Sequence, residues 1–224
     1  MDTLNQHNNF IYFTIALVAL LLVSAVGHSL PSNTGPVFSE IVTLAMLCIA
    51  YYTLRFGRFW RPFVGVILAL NLLTIALEGL TQWPGAELAS HMISLLFFVG
   101  ATLSCSRQVL LAAELETNVI VGTLAIYMLL GVTWATLYLI ILYFYPQAFH
   151  GIVDAPGSGD SSKVLYFSFV TLATLGYGDI SPALPIAKSL AYLEAITGTF
   201  FLAIVVASLI GGIGRNSDNN SSVK

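Results

Sequence analysis

Charged side chains are scarce: Asp, Glu, Lys and Arg make up 8% of the 224 residues, where a soluble domain carries about a quarter. A chain so poor in charge cannot cover a globular surface facing water, which excludes most soluble folds. Basic residues are too scattered to cradle phosphates, and a formal charge of −3 at pH 7 gives nucleic acid no counterpart. Cysteine is rare as well. Cys48 and Cys105 both fall inside apolar runs with no CxxC, HExxH or other metal-ligand partner nearby, so they read as two small buried thiols. No nucleophile, acid-base pair or metal cluster gathers in the sequence, and no cofactor is expected. An enzyme is therefore the least supported class.

What the sequence has instead is apolar: 57% of residues are hydrophobic and 12% aromatic. They fall in runs of about 18 residues or more, each able to cross a hydrocarbon core of about 30 Å as a helix. The expected fold is an all-α integral membrane protein with six transmembrane helices. The runs are Phe10 to Gly27, Val37 to Leu54, Pro62 to Leu80, Leu88 to Ser106, Val119 to Tyr145 and Pro185 to about Gly211, with no internal repeat. The first run exceeds a secretory h-region and follows no Lys or Arg, so it is read as a retained span. Arg55, Arg58 and Arg61 cluster between the second and third runs, which marks that loop as cytoplasmic. Alternation then puts both termini inside with six of the eight basic residues, leaving Lys163 and Lys188 outside. The expected division is a four-span domain over 1–106, an interfacial linker over 107–118, a pore-like unit over 119–213 and a short cytoplasmic tail over 214–224.

Between spans five and six, Lys163 to Thr174 is apolar but too short to cross. Irregular backbone at membrane depth survives only where protein or a water-filled cavity covers it, so this stretch is expected to be a short helix that turns back. Thr174-Leu175-Gly176-Tyr177-Gly178-Asp179 follows it. Glycines alternating with larger residues open backbone angles that would aim successive carbonyls one way, and rings of carbonyls can replace the hydration shell of a cation.

Here the chain resembles the tetrameric potassium-channel pore family, over roughly Val119 to Ile213 and most clearly in TLATLGYGDISP from Thr171 to Pro182. The resemblance implies a homotetramer in membrane lipid. In it, the carbonyls of Thr174, Leu175, Gly176 and Tyr177, with the Thr174 hydroxyl, coordinate K+, Gly178 completes the filter, and Asp179 braces its outer mouth. Several positions depart from the commonest pattern. Ala173 stands where a second threonine is frequent and Leu175 where valine is frequent, neither removing a carbonyl. Tyr166 and Phe167 fall where many members carry two tryptophans that tether the filter. Tyr166 could still reach Asp179 through its hydroxyl, whereas Phe167 donates no such bond. Val170 faces the rear of the filter, where some relatives have glutamate, and reads as packing.

Gly198 lies within the last span, where the family places a gating hinge, and close helix packing is the competing reading. Gly211, Gly212 and Gly214 read as the helix end. Glu194, one turn outward of Gly198, reads as a protonated or hydrogen-bonded prop behind the pore helix. Four spans before the pore match the layout of voltage-gated channels, yet Leu88 to Ser106 holds no Arg or Lys. That span cannot work as a conventional voltage sensor. At the outer mouth, Asp154, Asp160 and Asp179 would concentrate cations, opposed in part by Lys163 and Lys188. The expectation is a potassium-selective channel conducting passively in the cell membrane. Its rivals are a potassium transporter subunit and a non-conducting membrane sensor or scaffold.

Overall fold

Long apolar runs with no competing turn residues propagate as helices, and the computed structural model consists almost wholly of them. It describes residues 9–27, 41, 44–51, 57–81, 85–110, 117–152 and 161–221. In chain order the helices are α1 (Asn9–Gly27), α2 (Gly57–Thr81), α3 (Ala86–Leu110), α4 (Thr117–Phe144), α5 (Ser161–Leu172) and α6 (Pro185–Ser221). Residues 41 and 44–51 are also helical, while the rest of the expected second span lies outside the described residues. Among the described residues, α2, α3, α4 and α6 are each long and apolar enough to cross a membrane, and α1 contains a shorter apolar stretch over Phe10–Val23. Arg107 falls within α3 rather than in a separate linker helix, and residues 111–116 of that linker are outside the description.

The helix α4 organises the rest, packing against α1, α3, α5 and α6. Its first half joins one apolar core, where Ala125 and Leu129 meet Phe13 of α1, Val64 of α2 and Phe97 of α3. Its second half joins another, where Tyr138 and Ile141 meet Phe149, Val164 and Phe167. Polar groups fix the register of the first core. The Asn118 Oδ1 accepts from the Phe10 N–H at 3.3 Å, satisfying a donor that the start of α1 leaves open. The Thr14 hydroxyl lies 3.3 Å from the Val121 carbonyl. The two helices therefore begin on the same side, as alternating spans one and five require. At the start of α2, the Arg61 guanidinium sits 5.3 Å from the centre of the Tyr51 ring, an attraction of about 0.5–1 kcal/mol where exposed.

Two corrections concern the last helix and the loops around α5. The helix α6 does not stop at Gly211 to Gly214 but continues to Ser221. Glycine weakens a helix by about 1 kcal/mol, but it ends one by turning left-handed at the C′ position. Among the described residues the only positive-φ glycines are Gly151, Gly176 and Gly178. The chain after α4 also forms a small antiparallel ladder, absent from the all-helical expectation: β1 (Phe149–His150) pairs with β2 (Ser181–Pro182), Phe149 opposite Pro182 and His150 opposite Ser181. It ties the segment leaving α4 to the segment leaving residues 174–179.

Candidate functional site

Twelve helical residues, at about 1.5 Å each, reach about 18 Å, so α5 (Ser161–Leu172) is too short to cross. It rests on α4 and α6, with Val164, Phe167, Ser168, Val170 and Leu172 buried. Its end is a specific hydrogen-bonded turn. The Leu175 N–H donates to the Val170 carbonyl and the Thr174 N–H to the Thr171 carbonyl, both at 2.9 Å. This six-to-one and five-to-two pair is the Schellman arrangement, which requires a left-handed residue at C′. That residue is Thr174, at φ 58°. A β-branched side chain is a true outlier there, held at a cost of about 1–2 kcal/mol. Strain of this kind gathers where the surrounding structure enforces a functional geometry.

From Thr174 the backbone alternates. Thr174, Gly176 and Gly178 have φ of 58°, 57° and 84°, and neither Leu175 nor Tyr177 between them has positive φ. A strand whose residues alternate in hand is one in which consecutive carbonyls can line a single side. All residues from Thr174 to Asp179 are exposed in the single chain, including Leu175 at 58% and Tyr177 at 68%. The described residues of the chain leave these apolar side chains uncovered.

The flanking residues divide their work. Tyr166 hydrogen-bonds the Asp179 carboxylate, and that bond raises its phenol above the ordinary tyrosine value. Its ring also stacks on Tyr177, at 6.5 Å between centroids and 7° between planes. Tyr166 thus holds both ends of the Tyr177–Asp179 turn. Phe167 faces the opposite way, edge-on to Tyr138 at 5.3 Å and to Phe149 at 5.2 Å, so it anchors α5 to α4. Val170 is buried, and its main-chain carbonyl serves the turn at Leu175. Gly198 lies against the end of α5: a Cβ there would drive into the Leu172 carbonyl oxygen. Asp154 and Asp160 lie outside the described residues, while Lys188 is exposed.

Three features escaped the sequence reading: the left-handed Thr174, the ladder between β1 and β2, and Gly151. A Cβ on Gly151 would come within 2.5 Å of the Asp179 carbonyl oxygen, so the loop after α4 presses on the far end of the 174–179 segment. No local signal separates Gly151 from an ordinary loop glycine.

Residues 126–212 match the model of a family described as ion channel. A stretch of 59 residues is 41% identical to the inward rectifier potassium channel Kirbac3.1 of Paramagnetospirillum magnetotacticum, covering 26% of this chain and 20% of that protein. Another of 49 residues is 41% identical to the two pore potassium channel c of Oryza sativa subsp. japonica, covering 22% and 11%. The matched part of the chain thus spans a fifth or less of these curated relatives. No solved structure matches the chain. Helices of membrane-crossing length, with an ion-channel match running from within α4 into α6, make this an integral membrane protein whose C-terminal part is similar to ion-channel pores.

Proposed function

We propose that the chain is one subunit of a homotetrameric, potassium-selective channel that conducts passively. The observation that carries this reading is the alternating hand of the backbone over Thr174 to Gly178, directly after a short helix that cannot span. Carbonyls lining one side replace the water around a dehydrated ion only when several strands surround it. One chain supplies one strand, and four copies close the ring. The single chain looks incomplete in the way this demands. Only 11% of the α6 stretch Pro185–Ser208 is buried, against 39% of the α4 stretch Asn118–Phe144. Large apolar side chains such as Leu193, Ile196, Phe200 and Ile204 are left exposed along α6. In the proposed assembly α6 lines the conduit and meets its neighbours, α5 re-enters from outside, and Thr174, Leu175, Gly176 and Tyr177 hold K+ as the permeant ion rather than a cofactor.

Six spans per subunit, cytoplasmic termini and residence in the cell membrane complete the proposal. Gating by voltage is weak or absent, because moving one charge through 100 mV yields only about 2.3 kcal/mol and the fourth expected span carries no basic residue before Arg107. Of the rivals, a transporter of the four-repeat type would need filter-like repeats that this chain does not contain. A scaffold would pass no ions. Purified protein in liposomes decides: potassium-driven flux together with a four-copy mass supports the reading, and sealed vesicles with folded protein in them would overturn it.

A further inference from the structure

Where α4, α5 and α6 meet, three polar side chains are wholly buried: Tyr138, Ser168 and Glu194, each at 0% exposure. The Tyr138 hydroxyl donates to Glu194 Oε2 at 2.6 Å. The Ser168 Oγ lies 2.5 Å from Glu194 Oε1 and 2.7 Å from the Gly131 carbonyl oxygen. Counting hydrogens shows what this requires. The carbonyl has none to give, Tyr138 uses its own on Oε2, and Ser168 has one for two oxygen neighbours. Both contacts of Ser168 become hydrogen bonds only if Glu194 brings the missing hydrogen. Ionised, the carboxylate would sit buried with no cation seen to face it among the described residues: the titratable groups that face it there are Tyr138 and Tyr127, both from α4, and its hydrogen-bond partner on α5 is the Ser168 hydroxyl. An uncompensated buried charge is among the costliest arrangements a protein can hold.

We propose that Glu194 is a neutral carboxylic acid that donates its proton to Ser168 Oγ while Ser168 donates onward to the Gly131 carbonyl, making Glu194 the residue that positions the pore-lining helix against the 174–178 segment. The helix register fits this role. Glu194 and Gly198 are four apart on α6, Ser168 and Leu172 four apart on α5, and the pairs meet in order, Glu194 at Ser168 and Gly198 at Leu172. Residues four apart share a helix face. On α4, a Cβ at Gly131 would come within 2.7 Å of the Phe169 ring, so the third helix is equally close. Leu172 is two residues from Thr174, and the Val170 carbonyl holds the Leu175 N–H. Releasing α5 from α6 therefore displaces the start of the ion-binding strand.

The proton itself rests on geometry, while its effect on flux rests on the channel reading. Infrared spectra of the full chain in lipid, for wild type, Glu194→Gln, Glu194→Ala and Tyr138→Phe, separate the two. The wild-type minus Glu194→Gln difference should contain the carbonyl stretch of a protonated carboxyl, and Tyr138→Phe should move that band by removing the bond to Oε2. Gln keeps the shape, the neutral charge and a donor for Ser168, so Glu194→Gln should keep flux near wild type while Glu194→Ala loses about tenfold or more. A carboxylate band in place of the protonated one overturns the proposal, as does Glu194→Gln behaving like Glu194→Ala in flux or assembly. A wild type that shows the band and passes no ions refutes the channel reading and leaves the proton in place.

Discussion

Replacing Gly198 by alanine separates two roles for this glycine, because they predict opposite signs for stability. As a hinge, Gly198 weakens a helix that would be firmer with alanine, and the substitution should gain about 1 kcal/mol per subunit in helix propensity. As a contact, it lets α6 lie directly on the end of α5, where an added Cβ runs into the Leu172 carbonyl oxygen. Overpacking costs about 1–3 kcal/mol when side chains can yield. A main-chain carbonyl has no rotamer to change to, which puts the cost near about 3 kcal/mol and the net loss near about 2 kcal/mol per subunit after the propensity gain. Gly65 is the internal control: it lies inside α2, and a Cβ there would meet nothing within 4 Å. Thermal unfolding of the two variants in the same lipid is the assay. Gly65→Ala should melt above wild type and Gly198→Ala below it. If Gly198→Ala also melts above wild type, the contact account of Gly198 is wrong and the hinge account stands.

Further outcomes follow from the residues around the Thr174 to Gly178 strand. Thr174→Gly should relieve about 1–2 kcal/mol of left-handed strain and so raise thermal stability, yet lower potassium flux through loss of the hydroxyl; a fall in both would show that Thr174 is not strained. Gly176→Ala has open space around its Cβ but φ of 57°. It should abolish selective flux while the assembly keeps its size, and unchanged selectivity would contradict the alternating backbone. Tyr166→Phe keeps the stack on Tyr177 and removes only the bond to Asp179. Currents should then run down faster during sustained conduction, and kinetics identical to wild type would remove Tyr166 from filter support.

Helix placement was legible because a membrane imposes one strong rule, that backbone polar groups be satisfied within the segment. Apolar runs therefore located α3, α4 and the start of α6 to within a turn or so, and the family comparison raised a contact between the Tyr166 hydroxyl and Asp179. Features that depend on two distant segments meeting were not legible. Threonine at the C′ position contradicts local preference, so nothing in the Thr171 to Leu175 sequence announces it; the turn is enforced by the bonds to Val170 and Thr171. The β1 and β2 pairing joins residues some thirty positions apart, through two strands of two residues each, too short for any periodicity. Glycines at 211, 212 and 214 suggested a helix end, but composition does not reveal that their φ stays negative. Glu194 was read from sequence as a protonated or hydrogen-bonded prop behind the short helix, while Ser168 and Tyr138, its partners on other helices, look in sequence like ordinary members of apolar segments.

The central claim is selective potassium passage through a ring of the Thr174 to Gly178 strands. Its most direct test is the reversal potential of the reconstituted full chain with concentrated potassium on one side of the bilayer and sodium with dilute potassium on the other. The account predicts a potential close to the potassium equilibrium value. A reversal near zero, with currents clearly present, would mean the two ions pass equally and would contradict it.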